Sequence, residues 1–137
     1  MAYLLDTNVL SELRKGVRCD SGVRGWLEAQ EDTDLFISVL AVAEIRDGIE
    51  RLRSRDPRQA AQLETWLEDT ESHFGSRILP VTEAVAERWG RLHQARPLPD
   101  FDRLIAATAL EHGLEIVTRN VRDFERAGVA LVNPWRS

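Results

Sequence analysis

Short apolar segments alternate with helical segments along the whole chain, and this alternation restricts the fold more than any other feature. Residues 3–5, 35–38, 78–81, 115–118 and 130–132 have the length and apolar character of buried strands. Between these segments, apolar residues recur at the spacing of one helix face. A chain that alternates in this way builds a parallel sheet, because each helix carries the chain back over the sheet before the next strand begins. The sequence therefore predicts an α/β fold with helices on both faces of the sheet.

Capping residues predict where several of the helices begin. Ser21 and Thr82 stand before helical patterns and are expected to cap them. Asp56 precedes a proline, which predicts a cap followed by the first residue of another helix. The run 104–110 is apolar almost all the way round and is followed by Gly113, which predicts a buried central helix.

The length of 137 residues predicts a single domain over residues 1–137. A domain of this size buries enough surface to fold without disulfides or a structural metal. The single Cys19 has no cysteine partner, which favours a reducing, cytoplasmic location. No apolar run reaches the roughly 18 residues that span a membrane, so neither a membrane protein nor a secreted protein is expected.

The charge balance is acidic, because 18 basic and 23 acidic residues give a net charge of −5. The acidic balance does not indicate an RNA or DNA partner, because a general nucleic-acid coat protein would normally be basic. Lys15 is the only lysine, and the other basic residues are arginines. We attribute this bias mainly to genomic base composition, although arginine also binds phosphate well.

Two acidic residues in the first half of the chain occupy unusual positions. Asp6 follows the first strand and precedes Thr7 and Asn8; each of the three can cap a helix, but together they exceed what one helix end needs. Glu44 is the only charged residue in the apolar stretch 35–45. Burial of a carboxylate without a partner destabilises the folded state, so Glu44 calls for an explanation. The alternative is a salt bridge between Glu44 and Arg46, or another arginine, at the edge of the helix.

Further acidic and amide residues lie in the second half of the chain. Asp102 opens the most apolar helix, next to small residues, although helix capping is the more common role for it or for Asp100. Asn120 and Asp123 are three residues apart, a spacing that fits a helix cap or two oxygen ligands aimed at one point. Each of these residues alone has an ordinary structural explanation.

If these acidic and amide side chains converge, they indicate a site for a divalent cation. In parallel α/β folds, ligands bind beyond the carboxyl ends of the strands, and Asp6 and Asn120 follow two of the predicted strands. Neighbouring carboxylates repel one another unless a pKa rises or a cation binds. Oxygen ligands without cysteine or histidine suit Mg²⁺ or Mn²⁺, and the three histidines are expected at the surface. Such a cation favours hydrolysis of phosphodiester bonds.

Several segments resemble the PIN-domain ribonuclease toxins of the VapBC type, that is, the VapC family. They are LDTNVLSE at residues 5–12, AEIRDG at 43–48, DRLIAATA at 102–109 and VTRNVRDF at 117–124. The ending LVNPW at 131–135 is similar to the FitB-like subgroup. These motifs cover essentially the whole chain in the order of the family. The resemblance therefore implies a three-layer α/β/α PIN-like fold with a short, mostly parallel central sheet.

The resemblance also implies a toxin that cleaves single-stranded RNA with Mg²⁺ or Mn²⁺. By position, Asp6, Glu44 and Asp102 match the three metal-site acids of the family. At the fourth acidic position, Asn120 stands where some members have aspartate, and Asp123 is the alternative source of the charge. The number of metal ions therefore stays open.

The residues around these acids are expected to support the same reaction. Thr7 and Asn8 are candidates for orienting the carboxylates or water. Arg46, Arg103 and Arg119 are candidates for binding the RNA backbone. The alternative for each arginine is an ordinary surface position.

A cognate antitoxin protein, similar to VapB, is the partner that the resemblance implies, together with a homodimer that joins it in a larger complex. The helix that begins at residue 57 carries Leu63, Trp66, Leu67 and Thr70 on one face, and Trp26 lies on an earlier helix. Such residues usually belong to the core. In the family, these helices form a groove for the C-terminal segment of the antitoxin. A basic side chain of the antitoxin at the acidic cluster would displace the metal ion.

Other functions fit the sequence less well. A phosphatase that forms an aspartyl-phosphate needs an aspartate two residues after Asp6, where Asn8 stands. A receiver domain needs a lysine late in the chain, and Lys15 is the only lysine. No strand is followed by the Gly-Lys-Ser/Thr of a P-loop. The remaining alternative is a catalytically silent PIN-like binding module, which the presence of all three acids disfavours.

Overall fold

The computed structural model describes residues 1–95 and 98–135. The core of the fold is a five-stranded parallel sheet. The strands are β1 (Tyr3–Leu5), β2 (Leu35–Ser38), β3 (Ile78–Leu79), β4 (Glu115–Val117) and β5 (Leu131–Val132). Their order in the sheet is β3-β2-β1-β4-β5, and every neighbouring pair is parallel. The predicted α/β fold is confirmed, although β3, β4 and β5 are one or two residues shorter than expected.

Helices connect the strands and cover both faces of the sheet. They are α1 (Thr7–Leu13), α2 (Ser21–Glu28), α3 (Val39–Arg53), α4 (Pro57–Phe74), α5 (Glu83–Arg91), α6 (Asp100–His112) and α7 (Val121–Phe124). Within the ranges that the structure describes, none of the helices has the length and apolar character needed to cross a membrane.

Side-chain caps determine where several helices begin. Thr82 and Asp56 each accept a hydrogen bond from the backbone N–H three residues further on, as predicted. The predicted cap at Ser21 is wrong, because Asp20 occupies the N-cap position and accepts the corresponding N–H over 3.1 Å. Ser21 is instead the first residue of α2.

The main apolar clusters lie on opposite faces of the sheet, because alternate residues of a strand point to opposite sides. Leu4 and Ile116 belong to the cluster that includes residues of α6 and α7. Leu5 and Val117 belong to the cluster that includes residues of α1, α2, α3 and α4. A further cluster joins α3 to α4. The sheet is thus the middle of three layers.

The strand order opens a crevice at the carboxyl ends of β1 and β4. From β1 the chain continues to β2 and β3 on one side, and it then crosses β1 to form β4 and β5 on the other. Connections that leave neighbouring strands in opposite directions leave space between them, and ligands of parallel α/β folds bind there. The first residues after β1 and β4 are Asp6 and Thr118.

Candidate active site

Asp6 is a buried acid at this crevice, with 6% of its surface exposed. Its backbone N–H donates to the Val117 carbonyl over 2.9 Å, which extends the pairing of β1 with β4. Carboxylate oxygen Oδ1 accepts the backbone N–H of Thr7 over 2.8 Å, and Oδ2 accepts the Thr118 hydroxyl over 2.8 Å. Burial raises the pKa of Asp6, and the bonds from Thr118 and Thr7 partly offset this rise. Such a carboxylate favours a bound cation or proton.

Thr118 connects the residues that follow β1 and β4. Its hydroxyl donates to Asp6 and accepts the Asn8 side-chain amide at 3.2 Å and the Asn120 backbone N–H at 3.0 Å. A hydroxyl offers one donor and two acceptor positions, so its hydrogen bonding is complete. The Asn8 amide also donates to Asp6 Oδ2 at 3.4 Å. Thr118 is not among the predicted site residues, although the end of a predicted strand is where such residues occur.

Glu44 reaches the site from the second turn of α3. The Thr7 hydroxyl donates to Glu44 Oε1 over 2.7 Å, which fixes the carboxylate against the start of α1. The alternative of an ion pair between Glu44 and Arg46 is wrong. Arg46 instead pairs with Glu50 at 3.4 Å and with Glu64 at 3.1 Å.

Asp102 lies in the first turn of α6. The helix begins two residues earlier than predicted, at Asp100, and a proline occupies the N-cap position, so neither aspartate is the cap. The pKa of Asp102 is raised to about 6, first by burial and then by the charges of Asp6, Glu44 and Asp123. Acids from separate elements of the fold therefore lie within electrostatic range of one another.

Asn120 and Asp123 lie at the two ends of the turn that begins α7. Asn120 lines the pocket at the crevice, and its backbone carbonyl accepts the N–H of Asp123 over 3.1 Å. The Asn120 side chain makes no capping bond to α7. Asp123 is exposed, and its charge contributes to the raised pKa of Asp102. Asn120 is thus part of the pocket wall, and Asp123 is an acid close to it.

These side chains surround a pocket of about 510 Å³. Its acidic lining residues are Asp6, Glu12, Glu44 and Asp102, and its basic ones are Lys15 and Arg119. Trp135 contributes an aromatic side chain. Glu12, Lys15 and Trp135 were not predicted as site residues. The signal for Glu12 is its spacing of four residues from Asn8, which places both on one face of α1.

Three arginines were predicted to bind RNA, and in the described part of the chain Arg119 is the one that lines the pocket. Its guanidinium lies over the Trp135 ring, 5.4 Å from the ring centroid. Arg103 is only 3% exposed; its guanidinium lies 3.9 Å from the Trp89 ring centroid and pairs with an aspartate of α6 at 3.3 Å. This burial corrects the prediction for Arg103. Arg46 forms ion pairs with glutamates of α3 and α4 and is not part of the pocket wall.

The donor chemistry of the pocket fits Mg²⁺ or Mn²⁺. Carboxylate and amide oxygens are the ligands that these cations prefer, and a cation would offset the burial and repulsion that raise the pKa of Asp102. In residues 1–95 and 98–135, no group of three acidic, histidine or cysteine side chains is arranged to hold an ion by itself. Mg²⁺ suits such a site, because it usually binds one or two carboxylates and retains several waters. The three histidines are exposed, as predicted.

A groove continues from the acidic pocket toward α4. Leu13, Trp66 and Thr70 are among the residues that line an apolar pocket of about 540 Å³. A smaller hollow of about 250 Å³ shares Trp66 with the apolar pocket and shares Thr7 and Glu44 with the acidic pocket. These three depressions are therefore adjacent along the surface, and we call them together the long groove.

The predicted apolar stripe of α4 divides between the long groove and the core. Leu63 lines the smaller hollow, whereas Trp66 and Thr70 line the apolar pocket. Leu67 is 1% exposed and belongs to the core between α3 and α4. Trp26 packs edge to face on a tyrosine of β1, with ring centroids 4.8 Å apart. The stripe thus contributes Leu67 to the core, as such residues usually do, and Trp66 and Thr70 to the wall of a surface pocket.

Comparison with known proteins gives consistent matches over nearly the whole chain. Residues 3–130 match the PIN domain family. The chain is 34% identical to the VapC ribonuclease Y4jK of Sinorhizobium fredii, over 96% of each chain. Its fold is similar to the crystal structure of FitAcB from Neisseria gonorrhoeae, with a TM-score of 0.88, 33% identity and coverage of 98% of this chain and 99% of that one. A toxin–antitoxin complex from Klebsiella pneumoniae matches with a TM-score of 0.74 and 31% identity, over 99% of this chain and 100% of that one.

Proposed function

Because this chain belongs to the PIN-domain family, and within it to the VapC ribonuclease toxins of type II toxin–antitoxin systems, we propose that it hydrolyses phosphodiester bonds in RNA at the acidic pocket. Mg²⁺ or Mn²⁺ is the proposed cofactor. The observation that carries the proposal is the convergence of Asp6, Glu44 and Asp102 on one pocket from three elements of the fold. The raised pKa of Asp102 is the electrostatic consequence of that convergence.

Asp6 and Asp102 are the proposed ligands of the ion, and Glu44 completes the acidic set. Thr118 and Thr7 hold the carboxylates of Asp6 and Glu44 through hydrogen bonds of 2.8 and 2.7 Å. When bound, the ion lowers the pKa of water and offsets the charge of the phosphate. Because the pKa of Asp102 is about 6, this carboxyl group is mostly ionised at neutral pH and is ready to bind a cation.

Other pocket residues have supporting roles in this proposal. Asn8 donates to Asp6 and to Thr118 and so maintains the orientation of the Asp6 carboxylate. Asn120 offers an amide oxygen and Asp123 a negative charge, and one of the two completes the acidic site. Arg119 binds an RNA phosphate in this proposal, because it is exposed and lines the pocket.

The long groove is the proposed binding site for the C-terminal segment of a cognate antitoxin. Its apolar pocket fits apolar side chains, and the acidic pocket at its other end fits a basic side chain. A basic side chain in the acidic pocket would take the place of the metal ion and inhibit the enzyme. The similar Klebsiella pneumoniae chain supports this proposal, because it was solved as part of a toxin–antitoxin complex.

A homodimer in the cytoplasm, joined by antitoxin in a larger complex, is the proposed form of the toxin. Val39, Val81 and Phe101 are each about 40% exposed and lie close in sequence to the carboxyl ends of strands or to the start of α6. A second copy of the chain would cover such apolar residues. Light scattering of the toxin alone should give twice the 15.6 kDa mass of one chain; the mass of one chain would contradict the dimer.

Cleavage of single-stranded RNA by the purified protein tests the proposed function. We expect cleavage with Mg²⁺, no cleavage with a chelator, and loss of cleavage in Asp6→Asn and Asp102→Asn. Undiminished cleavage in either variant would contradict the site assignment. Calorimetric binding of Mg²⁺ without any cleavage would instead support the catalytically silent binding module.

A further inference from the structure

Glu12 is a buried acid of the pocket that the proposed reaction does not use. It is 7% exposed and lies on α1, one turn after Asn8. Its Oε2 accepts the backbone N–H of Asp20 over 2.8 Å, and its Oε1 accepts the Lys15 ammonium over 3.0 Å. These two bonds hold the pKa of Glu12 below its usual range, so the group is ionised. The buried charge of Glu12 therefore fixes the positions of the Lys15 ammonium and the Asp20 backbone N–H.

Lys15 is fixed through its backbone as well as its side chain. Its N–H donates to the Glu12 carbonyl at 3.1 Å, and its own carbonyl accepts the N–H of Arg18 at 3.2 Å. Gly16 follows in the left-handed region, with a φ of 60°, and permits the turn that ends this segment. The backbone of Lys15 is therefore fixed at the wall of the acidic pocket, and the ion pair with Glu12 holds its ammonium group there.

The surroundings of Lys15 suit a phosphate group. Its side chain is 48% exposed, so a ligand can reach it while Glu12 anchors it. An ammonium group has three N–H donors, and the described part of the chain engages one of them, with Glu12. Lys15 is also the only lysine of the chain, and its compact charge with rotatable donors differs from the rigid fork of an arginine.

We propose that Lys15 binds a backbone phosphate of the RNA next to the scissile one, and that Glu12 is the positioning residue that holds Lys15 for this contact. This inference rests on the proposed ribonuclease function and extends it to the alignment of the strand. Lys15 follows α1 and Arg119 follows β4, so the pocket receives its cations from different elements. We assign the two side chains to different phosphates of one strand.

Salt-dependent RNA binding tests the role of Lys15. Fluorescence anisotropy with a single-stranded RNA decanucleotide is measured in the Asp102→Asn background, so that the RNA is not consumed. Lys15→Ala should lower the slope of log affinity against log salt by about 0.7, the value for one phosphate of a single strand. The Kd should rise on the order of tenfold. Arg18→Ala, which removes a cation from the same turn but not from the pocket wall, should change neither.

Cleavage kinetics test whether Glu12 acts through Lys15. Glu12→Gln keeps an acceptor for the Asp20 N–H but removes the charge that holds Lys15. We expect KM to rise several-fold while kcat stays within about twofold, and we expect no further rise when Lys15→Ala is already present. Additive losses in the double variant, or a loss confined to kcat, would overturn the positioning role. Lys15→Arg, which keeps the charge, should recover part of the affinity.

The outcomes separate this inference from the proposed function. If the unaltered protein cleaves RNA and Lys15→Ala has the same salt slope as Arg18→Ala, the function stands and the role of Lys15 is overturned. If the unaltered protein cleaves no RNA, the proposed function is overturned.

Discussion

The hydroxyl of Thr118 donates to Asp6 Oδ2 over 2.8 Å, although the two residues are 112 positions apart in the chain. The bond forms because β1 and β4 are neighbours and each residue directly follows its strand. It fixes the orientation of a buried carboxylate that belongs to the proposed metal site.

Thr118→Val should therefore impair both stability and activity. Valine has the shape of threonine but lacks the hydroxyl. Asp6 Oδ2, the Asn8 side-chain amide and the Asn120 backbone N–H therefore lose this partner. We expect a loss of about 1–3 kcal/mol in the free energy of unfolding and a loss of about 10–100-fold in RNA cleavage. Thr118→Ser keeps the hydroxyl and serves as the control. Wild-type activity and melting temperature in the valine variant would contradict the role of this bond.

The stability difference between the metal-free protein and Asp102→Asn should depend on pH. The pKa of Asp102 is about 6 in the fold against 3.8 for the ordinary group. Between these values the folded state binds more protons than the unfolded state, so wild-type stability rises as pH falls from about 7 to 4. At pH 8 the ionised Asp102 carboxylate destabilises the fold. Asp102→Asn removes this charge and should be about 1–2 kcal/mol more stable than wild type at that pH. Urea unfolding with a chelator, from pH 8 to 4.5, measures the difference; a constant difference would contradict the raised pKa.

Mg²⁺ should stabilise the wild-type protein more than Asp102→Asn. At a free concentration 100 times its Kd, a ligand adds roughly 2.7 kcal/mol, which is several degrees in Tm for a domain of this size. Thermal melts with Mg²⁺ and with chelator measure the shift. Asp100→Asn is the control for the Mg²⁺ shift, because this exposed aspartate lies in the same turn of α6. Its Tm without Mg²⁺ should be lower than that of wild type, because the variant loses the ion pair with the buried Arg103. Equal shifts in wild type and Asp102→Asn would remove Asp102 from the metal site.

Arg119 and Arg46 should differ in their effect on RNA binding. Arg119→Ala removes a cation from the pocket wall, and the slope of log affinity against log salt should fall by about 0.7. Arg46→Ala removes the same charge from a position outside the pocket wall, where Arg46 pairs with Glu50 and Glu64, and the slope should not change. Anisotropy with one RNA oligonucleotide measures both. The same decrease in both variants would indicate a general charge effect rather than a contact by Arg119.

Leu13→Asp should weaken antitoxin binding without loss of RNA cleavage. Leu13 is 37% exposed and lines the apolar pocket of the long groove, where a charge would have to be buried by a bound segment. We expect at least about a tenfold higher Kd for the antitoxin, by calorimetry. Val17→Asp is the control, since Val17 is 91% exposed and is not among the residues that line the groove. A normal antitoxin Kd in Leu13→Asp would place the partner elsewhere.

The features that the sequence predicts correctly are those that depend on local pattern. Apolar runs locate the strands, and the position after a strand then identifies Asp6 as a residue of the crevice. Glu44 is identified because a charge is unusual in an apolar helix. Capping residues have similar preferences, so the pattern around Ser21 and Asp20 predicts a helix start but not which residue caps it.

The features that the sequence does not predict depend on packing between distant elements. Alternation of strands and helices predicts a parallel sheet but not that β4 lies beside β1, and the bond between Thr118 and Asp6 depends on that order. Arg103 has the sequence position of a pocket residue. Its burial against Trp89 arises from the packing of α5 on α6, which residue spacing does not convey.

The position of β1 between β2 and β4 also bears on how the protein is made. A ribosome synthesises the chain from its first residue, so Asp6 leaves the exit tunnel long before Asp102 and Thr118. The proposed site needs residues that follow both β1 and β4, so it cannot assemble on a partly translated chain. We therefore expect activity only after β4 has been synthesised, and a prematurely terminated product that lacks β4 should not cleave RNA.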